Sequence, residues 1–123
     1  MTDALALQGS WEQIALEADG HVDPPDELGS KGSITMITGD RFVVRSPSGD
    51  LLLEGSFTID GTVIPKAITW IDSIGPDAGK QLPAIYTLQD DVFAFIASDE
   101  GEPRPTEFRT RLGQTMRTFV RRS

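Results

Sequence analysis

The feature that most constrains this chain is a rhythm of two. In "LLLEGSFTID" (51–60), Leu51, Leu53, Gly55, Phe57 and Ile59 fall on one side of an extended chain; Glu54, Ser56 and Thr58 fall on the other. Side chains alternate across a strand, so such a segment buries one face and wets the other. Phe42 and Val44 stand in the same way against Arg41 and Arg45, and Ile68 and Trp70 against Thr69. Phe93, Phe95 and Ala97 form another such face, and in the last run Met116, Thr118 and Val120 are the expected buried set. No window sustains apolar residues at helical spacing.

Eight runs carry this signature, at 11–18, 33–38, 41–45, 51–60, 67–73, 81–88, 92–98 and 115–122. Gly, Asp and Pro clusters divide them, as in all-β folds. "TGDR" (38–41) and "SPSGD" (46–50) are suited to hairpin turns, and the aspartates of "LQDDV" (88–92) tolerate turn geometry. Longer connections span 19–32 and 99–114, and Pro24 and Pro25 of "PPDELG" open a short helix that Gly29 stops. Gly55, in mid-strand, marks a bulge or a bend. Sequential strands with one buried face close most simply as an eight-stranded antiparallel up-and-down β-barrel. The length, 123 residues, fits one domain over 1–123.

Composition narrows the partners. With no cysteine there is neither a disulfide framework nor a thiolate metal site, which suits a reducing compartment. "MTDALALQGS" has no basic head and no long apolar run, so neither a signal peptide nor a membrane span is expected, and a cytoplasmic location is. A net charge of −8 repels phosphate backbones and anionic lipids, so neither nucleic acid nor a membrane surface is an expected partner. No basic residue precedes Lys31, whereas Arg104, Arg109, Arg111, Arg117, Arg121 and Arg122 crowd the other end. That asymmetry reads either as a basic patch for an anion or as two chain ends that pair their charges. Barrel closure favours the second, with Arg117 and Arg121 beside Glu12 and Glu17. Each cross-strand pair of that kind contributes roughly 0.2–1 kcal/mol.

Gly9-Ser10-Trp11 at the start of the first strand, eight meandering strands and arginines ending the last one resemble the lipocalins and the wider calycin superfamily. A closer resemblance is to small bacterial lipocalin-like domains of unknown function, abundant in planctomycetes. It is carried by "LQGSW…LEADG" (7–20), "GSFTID…PKAITW" (55–70), "GPDAGKQLPAIYTL" (75–88) and "RPTEF" (104–108). The resemblance implies that Trp11 closes the barrel floor and that Arg121 or Arg122 packs across it. It implies a fold and no established activity. Where those domains tend to be hydrophobic this chain has Arg117, which predicts a more polar edge on the last strand.

Alternation and the implied role of Trp11 together direct Trp11, Phe42, Phe57, Trp70, Tyr86, Phe93 and Phe95 inward. At roughly 150–250 Å² each, they either fill the lumen or line a slot for one small ligand. Tyr86 and Asp72 are the polar residues expected to face inward, placed to orient a ligand or move a proton. The plainer reading gives Tyr86 a backbone carbonyl and leaves Asp72 in water at a strand end. His21, with Asp23, Asp26 and Glu27, offers a metal site or a general base, but one neutral ligand on a Pro-rich loop reads more simply as a solvated turn. In "EPRPTEF" (102–108), Arg104, Glu107 and Phe108 make either a partner-binding loop or a clasp, with Arg104 and Glu107 paired and Phe108 plugging a barrel end. "GPDAGK" (75–80) lacks the spacing of a phosphate loop. No catalytic residues, metal or cofactor are expected. The leading expectation is a protein that binds a small apolar or aromatic molecule in the lumen. The alternatives are an interaction module with a filled barrel and a cyclase or isomerase working through Tyr86 or Asp72.

Overall fold

The computed structural model describes residues 3–22, 32–75 and 78–122, with only the backbone at His21 and Val22. A one-turn helix, α1 (Asp3–Ala6), precedes β1 (Gly9–Ala18), β2 (His21–Val22), β3 (Ile34–Thr38), β4 (Arg41–Arg45) and β5 (Leu51–Asp60). Then follow β6 (Ala67–Asp72), β7 (Gln81–Gln89), β8 (Val92–Ser98) and β9 (Gln114–Arg121). Leaving β2 aside, the strands lie side by side in chain order, and β9 pairs back onto β1. The result is one closed, eight-stranded, all-antiparallel up-and-down barrel; β2 is a short addition along the end of β1. The eight alternating runs are its eight strands, with ends moved by one or two residues. Neither β2 nor α1 is long enough to show a period. The helix expected at Pro24, Pro25 and Gly29 lies outside the described residues.

Short turns set the registers of most neighbouring strands. Gly39, between β3 and β4, and Asp90, between β7 and β8, take left-handed backbone angles (φ 63° and 56°). Glycine adopts that region freely, and aspartate more readily than most residues. Gly55 is no bulge: its residue pairs with Phe42 on one side and Asp72 on the other in unbroken register. Irregularities fall instead between Gln13 and Ala15 and between Val44 and Arg45. What requires glycine is close approach, because a Cβ there would stand 2.1 Å from the Ile71 carbonyl oxygen.

Closure is secured at the floor. Trp11 is fully buried, and its indole N–H donates to the Leu7 carbonyl at 2.8 Å. The Arg121 guanidinium lies 4.3 Å from the centre of the Trp11 ring. It donates to the carbonyls of Ala6 and Gln8 (2.7 Å to Gln8) and to Asp91 Oδ1 at 3.1 Å. Arg121 is therefore the residue across Trp11. Arg122 points away and pairs with Glu12 at 2.6 Å. The expected charge pairing thus occurs at Arg122–Glu12, while Glu17 accepts from Thr110 instead. Gly9 enters β1 with φ 120°, a conformation that L side chains resist.

One face is corrected. In β9 the inward residues are Thr115, Arg117 and Phe119, not Met116, Thr118 and Val120. Residues directly opposite across an antiparallel pair share a face, and these lie opposite Ala97, Phe95 and Phe93. Arg117 accordingly faces the lumen and does not polarise an outer edge.

Two predictions follow from closure and close approach. Gly55→Ala must push β6 off β5, with an expected loss of at least about 2 kcal/mol in urea unfolding, the scale of core overpacking. Arg121→Met strips two carbonyls and a buried ring of their partner. It is expected to lose about 2–3 kcal/mol, whereas Arg122→Ala stays within about 0.5 kcal/mol. Equal losses would contradict the assignment of closure to Arg121.

Candidate functional site

Above the floor the barrel is hollow. A cavity of about 190 Å³ runs from Trp11 toward the end where β8 gives way to the 99–113 segment. Six aromatic rings wall it: Trp11, Phe42, Trp70, Phe93, Phe95 and Phe119. They form a connected set. Trp11 touches Phe93 (centroids 5.7 Å apart), Phe93 stacks on Phe119 (5.7 Å), and Trp70 packs on Phe95 (4.9 Å). Phe42 meets Trp70 edge-on at 5.2 Å, one of the arrangements that the ring quadrupoles favour.

Polar groups gather toward the mouth. Gln13 is buried, its Oε1 accepting from Arg117 Nη1 at 3.1 Å, and both residues line the cavity. Thr35, Asp72 and Ser98 are buried in the same wall, and Asp99 stands exposed at its rim. Ser98 Oγ donates to the Pro103 carbonyl at 2.7 Å. Among the described residues, Trp70 Nε1 and Ser33 Oγ are buried with no hydrogen-bond partner.

Of the residues expected in the lumen, Phe42, Trp70, Asp72, Phe93 and Phe95 are brought together around the cavity. Phe57 and Tyr86 are buried in the core without lining it. Tyr86 does not donate to a backbone carbonyl; its hydroxyl donates to Asp3 Oδ2 at 2.7 Å, and Lys66 Nζ reaches the same oxygen at 2.9 Å. Asp72 is not in water but 6% exposed. Tyr86 is bonded to α1 at the floor and Asp72 lies near the mouth, so they do not form the acid pair that a cyclase reading would use.

The 99–113 segment clasps the outside of the barrel. Arg104 does not pair with Glu107: it donates to the carbonyls of Ile68 (2.9 Å) and Ala84 (2.7 Å) and to Thr69 Oγ1 (2.8 Å). Glu107 pairs with Arg111 one helical spacing on. Phe108 is exposed and plugs neither end. At the far end of the clasp, Gly20 N–H donates to Thr110 Oγ1 and Gly113 N–H to Asp19. Asp23, Asp26 and Glu27 lie outside the described residues, as does the side chain of His21. Among the described residues, no group of three or more His, Asp or Glu is placed to hold a metal ion, and no helix is long and apolar enough to cross a membrane.

Gln13, Thr35, Thr115, Arg117 and Phe119 were not anticipated on the cavity wall. Gln13 follows Trp11 by two and was legible from alternation alone. The β9 residues were not, because a long connection leaves their register unset.

Fold and site together define a closed up-and-down barrel with an aromatic, polar-rimmed lumen. No protein-family model matches the chain, and no curated protein or solved structure does either.

The Tyr86–Asp3 pair sets a pH dependence. Burial, then the bond to Asp3, pushes the Tyr86 phenol well above its ordinary range. Its bonds from Tyr86 and then Lys66 hold the Asp3 carboxyl below the usual value. The folded state thus favours the neutral phenol. That contribution is whole below the ordinary phenol pKa of about 10 and is lost as pH rises beyond it. The Asp3 contribution is present above about pH 4 and is lost as pH falls. In an alkaline titration, tyrosinate absorbance is expected to appear only together with unfolding. A folded protein showing tyrosinate near pH 10 would contradict it.

Proposed function

We propose that this protein is a lipocalin-like binding protein that holds one small apolar or aromatic molecule in its barrel lumen. The observation that carries the reading is the cavity of about 190 Å³ bounded by six aromatic rings. A dry cavity of about 150 Å³ takes up benzene, so this one suits a single ring or a small fused pair. Burying such a molecule contributes roughly 25 cal/mol per Å² of apolar surface removed from water. Kinship with the calycin barrels is part of the proposal; the stacking of Arg121 on Trp11 under a meandering barrel supports it. So are a cytoplasmic setting and the absence of nucleic-acid and membrane partners, the last of which the net charge of −8 favours.

No observation favours the interaction module comparably, since Arg104 is engaged by the barrel's own backbone and Glu107 by Arg111.

Native mass spectrometry of gently purified protein tests the reading, with indole added where no adduct copurifies. The expected result is one bound molecule, released on denaturation and abolished by Ala97→Phe, which fills the lumen from its wall. An adduct retained by Ala97→Phe would put the site elsewhere. No adduct and no indole binding at millimolar concentration would sink the reading.

A further inference from the structure

Polar side chains stand together on one side of the cavity wall. Gln13 on β1, Thr35 on β3, and Thr115 and Arg117 on β9 come from three neighbouring strands. The inward residues that β4, β5, β7 and β8 give to the cavity are all apolar. On β6, Trp70 lies within the wall and Asp72 near the mouth. An occupant therefore meets a wall that is apolar on one side and partly polar on the other.

Within the polar side, Gln13 and Arg117 are bonded to one another. Thr35 differs from them. It is 6% exposed and lies directly opposite Trp11 on one neighbouring strand and Val44 on the other. Residues so placed share a face, so its side chain turns inward with theirs. No described group bonds its hydroxyl, and Oγ1 is not one of the unpartnered atoms sealed from water, which among the described residues are Trp70 Nε1 and Ser33 Oγ. The hydroxyl therefore opens on the space that Thr35 borders, the lumen. Water can reach such a group. A hydrocarbon that displaces the water gives it nothing in return and leaves a buried polar group unmet, which weakens binding.

We infer that the lumen takes a compact aromatic ring bearing one hydroxyl, which bonds Thr35 Oγ1 beside Trp11. The inference rests on the lumen-binding reading and narrows it to a chemical class. A threonine hydroxyl both donates and accepts, and a phenolic hydroxyl does the same, so the two can meet in either sense. The aromatic walls hold the ring. Because Thr35 lies level with Trp11, the ligand's hydroxyl turns toward β3 deep in the barrel and not out through the mouth.

Phenol and toluene test this on the intact chain by NMR titration, since they share a shape and differ by the hydroxyl. Binding in the lumen is established by its loss in Ala97→Phe. Thr35→Val keeps the shape of the wall and removes the hydroxyl. In it the preference for phenol over toluene, taken as the ratio of their Kd values, is expected to fall about fivefold to tenfold, the worth of one hydrogen bond. Thr35→Ser, which keeps the hydroxyl, is expected to hold that ratio within about twofold. In the unaltered protein the ring protons beside the phenol hydroxyl are expected to show NOEs to the Thr35 methyl, and the proton opposite the hydroxyl is not. That signal decides the matter even where Thr35→Val does not fold. A ratio unchanged in Thr35→Val, with both probes in the lumen, would overturn the hydroxyl inference and leave the lumen reading intact. So would phenol bound with its hydroxyl toward the mouth. No lumen binding by either probe at millimolar concentration would overturn both readings.

Discussion

The contact of Arg121 with Trp11 is the constraint on which the rest of this barrel depends. An up-and-down barrel has one seam that no hairpin closes, where the first strand meets the last. Here Arg121 sits at that seam, covers a fully buried indole and gathers carbonyls from the chain leading into β1. The seam then runs from Trp11 opposite Arg121 to Ala18 opposite Thr115, with a single irregularity beside Ile14. Fixing β9 in that register turns Phe119 and Arg117 inward. The wall of the cavity is thereby decided at the floor.

Side-chain size sets where the hollow lies. Leu7, Phe57, Ile68 and Tyr86 belong to the core cluster and do not border the cavity, whose floor is Trp11. Toward the mouth the inward positions pass to Thr35, Ala97 and Thr115, which are small, and to Gln13 and Asp72, which are polar. Filled barrel and open slot are therefore not alternatives here, because each holds over part of the lumen. On the outer side, Ile85 and Ile96 face each other across β7 and β8 and are as buried as the core, although they point away from the lumen. Arg104 and Pro105, at the groove beside Ile85, belong to the clasp that shelters this face.

How far the sequence spoke follows the length of the connections. Where two-residue turns join strands, as at Gly39-Asp40 and Asp90-Asp91, alternation gave the inward set correctly: Phe42, Val44, Phe93 and Phe95. β9 follows a connection of fifteen residues, so no turn pins its register. Its sequence, "TMRTFV", alternates plausibly either way. Only pairing with β8 and β1 distinguishes the two, and a slip of one residue exchanges Met116 and Val120 for Arg117 and Phe119. Asp3 was illegible for a different reason. It lies outside every strand, and its role arises because α1 folds under the barrel and meets Tyr86. The partners of Arg104 are backbone carbonyls of β6 and β7, which no side-chain pattern encodes.

The two tryptophans of this chain serve as controls for one another. Both are buried, and both belong to the same connected aromatic set through Phe93. The N–H of Trp11 is answered by Leu7 one turn earlier in the chain, and other buried polar groups are answered as closely: Tyr86 by Asp3, Ser98 by Pro103, Gln13 by Arg117. The chain therefore has the means to satisfy an inward donor. At Trp70 its neighbours are instead rings on the lumen side, where a threonine or an asparagine among them would have supplied an acceptor. Leaving a donor unmet costs about 1–3 kcal/mol, a large fraction of the stability of a domain this size. The close packing of four phenylalanine rings about this indole, Phe42 edge-on among them, offsets part of that loss.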